Sequence, residues 1–452
     1  MQTHPNQSPR HLTRLMLVSF MVAGGARFAA AQPKYTVHDL GTLGSTFNRA
    51  FGINNAGQVV GLSGDRAFRT APNSAINAAT DDVGTLFSGG STVALGINDL
   101  GQVVGSSSTS SSSMTHAFRT APNSAINPST DDLGTLFASA FTVATGINDS
   151  GQVVGYSTLP RVATHAFRTA PNSAINPATD DIGALTAGPL LGSFIQAFGI
   201  NHSGQVTGVS FTHAFRTAAN GAINAATDDL GAFSGGCCST ATGINASGQV
   251  IGFSSVGVSG NTHAFRTAPN GAINTFTDDL GTLGGTFSTA QGINSSGQVV
   301  GWSDLASPFE PPHAFLYSGG VLYDLNNLIP LNSGLILTAA YGINDLGQIV
   351  GEAIPSGSSG SHVFRLDPPP TSVVSVMLDS VGSFDLPPGI SNALTSSLQQ
   401  CLNAMHRGDM TAARNQLGAF RTKVNALRGK KLTDTQANML LGFAATAIRM
   451  IS

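Results

Sequence analysis

Residues 51–61 read FGINNAGQVVG, and six further stretches repeat the pattern. They are LGINDLGQVVG, TGINDSGQVVG, FGINHSGQVTG, TGINASGQVIG, QGINSSGQVVG and YGINDLGQIVG, with first glycines Gly96, Gly146, Gly199, Gly243, Gly292 and Gly342. In all seven copies the second glycine follows the first by five residues. The pattern predicts a strand, a tight turn and a second strand. Asn54 opens the turn, where a short amide side chain bonds its own backbone. Gly57 closes it, where a left-handed conformation carries no Cβ penalty. A short loop built on a type I turn with a glycine bulge fits this order. Gln58-Val59-Val60 then supplies a β-branched strand.

Two further landmarks travel with each hairpin. One is an Asp-apolar-Gly strand end: Asp39-Leu40-Gly41, then at Asp82, Asp132, Asp181, Asp229 and Asp279, with Asp324-Leu325-Asn326 as the seventh version. The other is Arg66-Ala67-Phe68 in the first unit, then HAFRT from His116, His165, His213 and His263, HAFLY from His313 and HVFRL from His362. Each unit therefore offers four short strands, at a period of 44 to 53 residues. Four strands at that period predict propeller blades rather than the shorter coils of a β-solenoid. Ile53, Val59, Phe68 and their equivalents are the expected core, completed only by stacking on neighbouring units. If the unit boundary falls after the DLG strand, Tyr35–Leu40 completes the last sheet; if before it, the ring closes by packing alone.

Charged residues make up only 10% of the chain, and glutamate occurs only at Glu310 and Glu352. Ser, Thr and Asn must cover the surface instead. The repeat region is mildly acidic and the tail basic, but the tail's charges are scattered as on solvated helices, so nucleic acid is not an expected partner. Arg10, His11 and Arg14 precede an apolar run, Leu15–Ala23, and a small-residue cleavage site follows near Ala31. That is the pattern of a secretory signal peptide over residues 1–31. The run is short for a membrane anchor, and no later stretch reads as a transmembrane span. Cys237, Cys238 and Cys401 do not suggest a disulfide framework; a strained Cys237–Cys238 bridge and two free loop thiols are both open.

Pro368-Pro369-Pro370 ends the repeats. Residues 367–385 read as a Pro-rich linker with a β-like run, Val373–Leu378. From residue 386 to 452 the period turns helical. Leu394, Leu398, Cys401 and Met405 form one stripe, and Ala413, Leu417, Phe420, Val424 and Leu427 a second. Thr433 with Gln436 forms a capping box for a third helix. The fold class expected is thus all-β: a seven-bladed β-propeller-like domain over 32–366, then a small three-helix domain.

The repeated histidines invite a metal reading. Equivalent positions on a ring lie a blade width apart, too far for shared ligation. A histidine bonded to a carbonyl within its own blade is the expectation. The pairs Asp81-Asp82, Asp131-Asp132, Asp180-Asp181, Asp228-Asp229 and Asp278-Asp279 read as turn caps, with structural calcium as the competing use. Unique chemistry needs residues that break the repeat: His38, His202, Trp302, Glu310 and Glu352. None has a companion at catalytic spacing, and the hydrolase motifs are missing. No catalytic, cofactor-binding or metal-binding residue is therefore assigned.

The ordered landmarks GIN-x-x-GQVVG, HAFR and DLG over about residues 35–366 resemble the bacterial HAF-repeat family of extracellular repeat proteins. The resemblance implies export and a propeller-like fold, and no activity. Arg66 and the HVF at His362 depart from the family motif. The tail, with GKKLTDTQA at residues 429–437, resembles the FIMAH helical domain of bacterial exoproteins. The function expected is a secreted or cell-surface, monomeric, non-catalytic scaffold binding a polysaccharide or surface protein through rim loops. The alternative is a glycan hydrolase or lyase working at the central channel.

Overall fold

The computed structural model describes residues 35–109, 114–138, 140–159, 163–185, 194–258, 260–358 and 360–451. The expected signal peptide lies outside the described residues. Strands run from Thr36 to Asp367 and helices follow. Among the described residues no helix is long and apolar enough to cross a membrane.

The hairpin forms as its sequence demands. Asn48–Ile53 pairs antiparallel with Val59–Ser63, which pairs with Arg66–Arg69. In the turn, Gly57 N–H donates to the Asn54 carbonyl at 2.9 Å and Asn54 N–H to the Gln58 carbonyl at 3.1 Å. Gly57 sits at φ +79°, in the left-handed region. The Asn54 side chain closes the turn by accepting the Gln58 N–H at 2.9 Å.

The DLG segments settle the unit boundary. Each pairs with the strand before it: Phe68 with Asp82, Phe118 with Asp132, Phe167 with Asp181, Phe215 with Asp229, Phe265 with Asp279. The first such strand, Thr36–Gly41, has no predecessor, and it pairs with His362–Asp367 at the other end of the repeats. The resulting sheet contains, in order, Thr36–Gly41, His362–Asp367, Ile349–Pro355 and Leu335–Ile343. Of the two boundaries compatible with the sequence, the one after DLG is present.

Two features join consecutive units. The apolar clusters lie between sheets: Val60, Ala67 and Val83 pack with Ala94, Val103 and Phe118 of the next unit. Likewise Val350 and Val363 of the last unit pack with Ala50, Val59 and Phe68 of the first. The phenylalanine of each unit, from Phe68 to Phe364, is fully buried, a contribution of about 1.5–3 kcal/mol apiece. The second feature is polar. Asn54 Nδ2 donates to the Asn98 carbonyl, Asn98 to Asn148, Asn148 to Asn201, Asn201 to Asn245, Asn245 to Asn294 and Asn294 to Asn344, at 3.1–3.2 Å. Asn344 donates to the Asn54 carbonyl at 3.0 Å, so the series returns to its start. A buried amide must find its partners, and here each asparagine finds one in the adjoining unit.

The helical part departs from expectation in number. Four helices are present, not three: α1 (Pro370–Ser383), α2 (Pro388–His406), α3 (Met410–Leu427) and α4 (Asp434–Met450). α1 occupies the stretch read as linker and β-like run. Its β-branched valines suggested a strand, but Val373, Met377 and Val381 are four residues apart and all buried, and Pro370 suits a first helical turn. α4 carries the Thr433–Gln436 capping box. All four helices share one core, to which Leu346 from the last hairpin turn also belongs.

Candidate functional site

The residue preceding each GIN is one of the variable positions of the repeated motif. In the seven units it is Phe51, Leu95, Thr145, Phe198, Thr242, Gln291 and Tyr341. All seven line one cavity of about 690 Å3, a volume within the range of ligand sites. They converge because the hairpins approach closely: a Cβ on Gly342 would lie 3.3 Å from Gly52 Cα. Around this mouth stand Tyr156, Phe194, Phe211 and Phe253, with Gln196 and the thiol of Cys238. Phe211 adopts φ +58°, a left-handed conformation costly for an aromatic residue, and it is held there by its N–H bond to the Phe194 carbonyl at 2.7 Å. Strain of this kind gathers at binding sites.

Among the described residues the lining is aromatic, aliphatic, hydroxyl and amide with one thiol residue, and includes no Asp, Glu, His, Lys or Arg. The charges beside Tyr341 are paired with each other. Arg49 Nε lies 2.8 Å from Glu352, and its guanidinium lies 4.8 Å from the Phe47 ring centre and 6.0 Å from that of Tyr341. Burial, chiefly, pushes the Tyr341 hydroxyl up, so it is a neutral hydrogen-bonding group at neutral pH.

A second, smaller cavity of about 250 Å3 surrounds the residue that follows each asparagine, including Asn55, Asp99, Asp149, His202 and Asp345. Its carboxylates are engaged with backbone. Asp99 accepts from Asn55 N–H at 2.8 Å and Nδ2 at 2.9 Å, Asp149 from Asp99 N–H at 3.0 Å, and Asp345 from Ser295 N–H at 2.9 Å. Burial raises the Asp99 carboxyl and Asp149 adds to the effect, while the Asn55 N–H opposes it. Among the described residues no group of three or more His, Cys, Asp or Glu side chains is placed to hold a metal ion.

The repeated histidines are structural, but their acceptor is a carboxylate rather than the expected carbonyl. His116 pairs with Asp132, His165 with Asp181, His213 with Asp229, His263 with Asp279, His313 with Asp324 and His362 with Asp39, at 2.7–3.0 Å. In the first unit Arg66 meets Asp82 in the same way. The paired aspartates cap turns. Asp81 accepts from the Asn77 N–H at 2.8 Å and Asp82 from the Gly84 N–H at 2.9 Å, as do their equivalents.

The symmetry-breaking candidates do not converge. His202 is at the small cavity. Trp302 is stacked on Phe287, ring centres 5.1 Å apart, so one face is covered. Glu310 is exposed in a loop, and Glu352 is paired with Arg49. Cys237 and Cys238 are both free thiols, so the strained bridge is not formed. The large cavity escaped sequence reasoning because its residues meet only where the seven hairpins approach one another in the fold; the variable residue before GIN was the available signal. Comparisons with family models, curated proteins and solved structures found no match.

His38 belongs to the closing sheet. Its Nε2 lies 2.9 Å from Asp367, which also accepts from Arg365 and Gln348. Burial acts to raise the Asp367 carboxyl, but the bonds from His38, Arg365 and Gln348 outweigh it and hold the group well below the usual carboxylate range. A depressed folded value means that the stabilisation is complete above the unfolded value of about 3.9 and is lost as pH falls through the folded one. Asp367→Asn should therefore flatten the stability curve below about pH 4, measured by urea unfolding over an acid pH series.

Proposed function

We propose that the repeat region is an exported seven-bladed β-propeller of the HAF-repeat kind, and that its aromatic mouth binds a neutral, hydroxyl-rich polymer, a polysaccharide, without chemical turnover. The cyclic asparagine series and the packing of the last unit on the first support a ring. The observation that carries the binding reading is the 690 Å3 cavity to which every unit contributes at least one residue. Flat aromatic faces stack on the apolar faces of sugar rings, while Thr145 and Thr242, whose hydroxyls donate to the Ala197 and Ala290 carbonyls, can accept from sugar hydroxyls and Gln291 offers an amide. The proposed site is thus the channel mouth rather than the rim loops.

Glycoside hydrolysis ordinarily needs two carboxyl groups flanking the scissile bond. Among the described residues this lining offers none, which favours binding over hydrolysis. The helical tail, with its resemblance to FIMAH domains, is in keeping with extracellular life and adds no reaction.

A glycan array probed with the purified chain, followed by calorimetry on each hit, tests the reading. A neutral glycan should bind, Phe198→Ala should weaken it about tenfold or more as loss of an aromatic anchor does, and Glu310→Gln should change nothing. Absence of any glycan hit, binding indifferent to Phe198→Ala, or release of shorter sugars from a bound glycan overturns it.

A further inference from the structure

The closing sheet departs from the repeat in a coordinated way. In five units the arginine that follows the phenylalanine donates to backbone carbonyls of the next unit; Arg168, for example, reaches the Gly221 carbonyl at 2.7 Å and that of Asn220 at 2.6 Å. In the last unit Arg365 turns instead onto Asp367, with Nε and Nη2 at 2.8 and 2.9 Å from the two carboxylate oxygens. Other units have alanine at the place of Asp367: Ala71, Ala121, Ala170, Ala218 and Ala268. His38, opposite Arg365 in the sheet register, replaces the first aspartate of the pairs found in those units.

Among the described residues this rearrangement leaves Arg365 Nη1 buried and without a hydrogen-bond partner, on a side chain whose residue is only 4% exposed. A buried cationic donor left without a partner is destabilising. Arg365 lines a cavity of about 280 Å3 between the closing sheet and the end of α4, together with Thr36, Asp367, Thr446 and Arg449. Arg449 Nη2 donates to Thr446 Oγ1 at 2.9 Å. Among the described residues the cavity thus holds two guanidiniums against one carboxylate, both of whose oxygens are already taken by Arg365, His38 and Gln348. Burial, and then the Arg365 charge, lower the Arg449 pKa. The carbonyl end of α4 would repel an anion by itself, and Arg449 in the last turn reverses that field.

We propose that this cavity binds a small oxyanion of the sulfate or phosphate class, held by the Arg449 guanidinium and the Thr36 hydroxyl beside the buried charge of Arg365. Guanidinium groups suit such oxyanions because their N–H donors are fixed and fully charged. The anion completes the charge balance and ties α4 to the sheet that joins the two ends of the repeats. The proposal does not depend on the polysaccharide reading, since the two cavities share no residue.

The test uses the full chain in thermal melts and calorimetry, with sodium sulfate and sodium phosphate titrated against sodium chloride at matched ionic strength. A saturable rise in melting temperature with either oxyanion, and a calorimetric 1:1 isotherm, is the expected result. Arg449→Gln should weaken oxyanion affinity about tenfold, the loss of one charged hydrogen bond, each variant's melt being referred to its own melt in chloride. The double variant Arg365→Met with Asp367→Asn removes both members of the buried pair and should abolish the response; if it fails to fold, Arg449→Gln alone decides. A sulfated monosaccharide titrated beside free sulfate shows whether the anion enters free or on a sugar, and binding of either supports the site. A linear, non-saturating rise that is the same in wild type and Arg449→Gln is a general salt effect and overturns the proposal.

Discussion

Gly155→Ala is expected to abolish the cooperative thermal transition, at a cost above about 4 kcal/mol, the range reserved for severe core defects. Gly155 faces Ala144 across the hairpin, where the register shifts. A Cβ there would stand 1.9 Å from the Val143 carbonyl oxygen and 2.9 Å from Ala144 Cα. Both obstacles are backbone, so no rotamer change relieves them. Nor can the strand withdraw: Val153 and Val154, on the same strand, belong to the clusters on its two sides. The equivalent glycines, from Gly61 to Gly351, meet a carbonyl at 1.9–2.0 Å in every unit, so the third unit is representative. Gly442→Ala supplies the contrast. Gly442 lies in α4 with nothing within 4 Å of its Cβ position and no positive φ. There the same methyl group should stabilise by about 0.5–1 kcal/mol through reduced freedom of the unfolded chain. Calorimetry of the two variants side by side checks both signs. A Gly155→Ala melt close to that of the parent contradicts the close approach at the bulge.

What the sequence disclosed follows the range of the interaction concerned. The hairpin was readable from Asn54 and Gly57 because both answer local demands: a turn bond and a left-handed φ. The core was readable from Ile53, Val59 and Phe68 because alternation along a strand states which side is buried. The histidine partner was read as a carbonyl because Asp132 lies sixteen residues beyond His116, and only the pairing of the outer strand brings it near. α1 was misread because Val373, Val374 and Val376 satisfy a strand's composition, while the helical spacing of Val373, Met377 and Val381 is visible only over a longer window. The aromatic mouth and the Arg365 cavity were beyond reach for a different reason. Phe51, Phe198 and Tyr341 are separated by nearly 300 residues of chain, and Thr36 and Arg449 by more than 400. Their meeting is a property of how the two ends of the repeats join.

That junction carries the second large expected effect. A chain beginning at Thr42 should lose about 4 kcal/mol or more, with a broadened melt and rapid proteolysis of the last unit. The missing strand, Thr36–Gly41, is the edge partner of His362–Asp367. Removing it uncovers Val363, now in one cluster with Leu40, and Phe364, which shares a cluster with Tyr35. It orphans the Ile76 N–H, which donates to the Leu40 carbonyl at 2.8 Å, and leaves His362 without Asp39. The exposed pairing pair of loss and opportunity also provides a rescue. The bared strand edge is a template for an added strand, so a synthetic peptide of residues 35–44 should restore protection of the last unit in a saturable manner. A peptide with Leu40→Asp should fail, because Leu40 is 2% exposed in the intact chain. If instead the truncated chain melts like the parent and ignores the peptide, the sheet-sharing closure contributes no stability and packing between units alone holds the ends together.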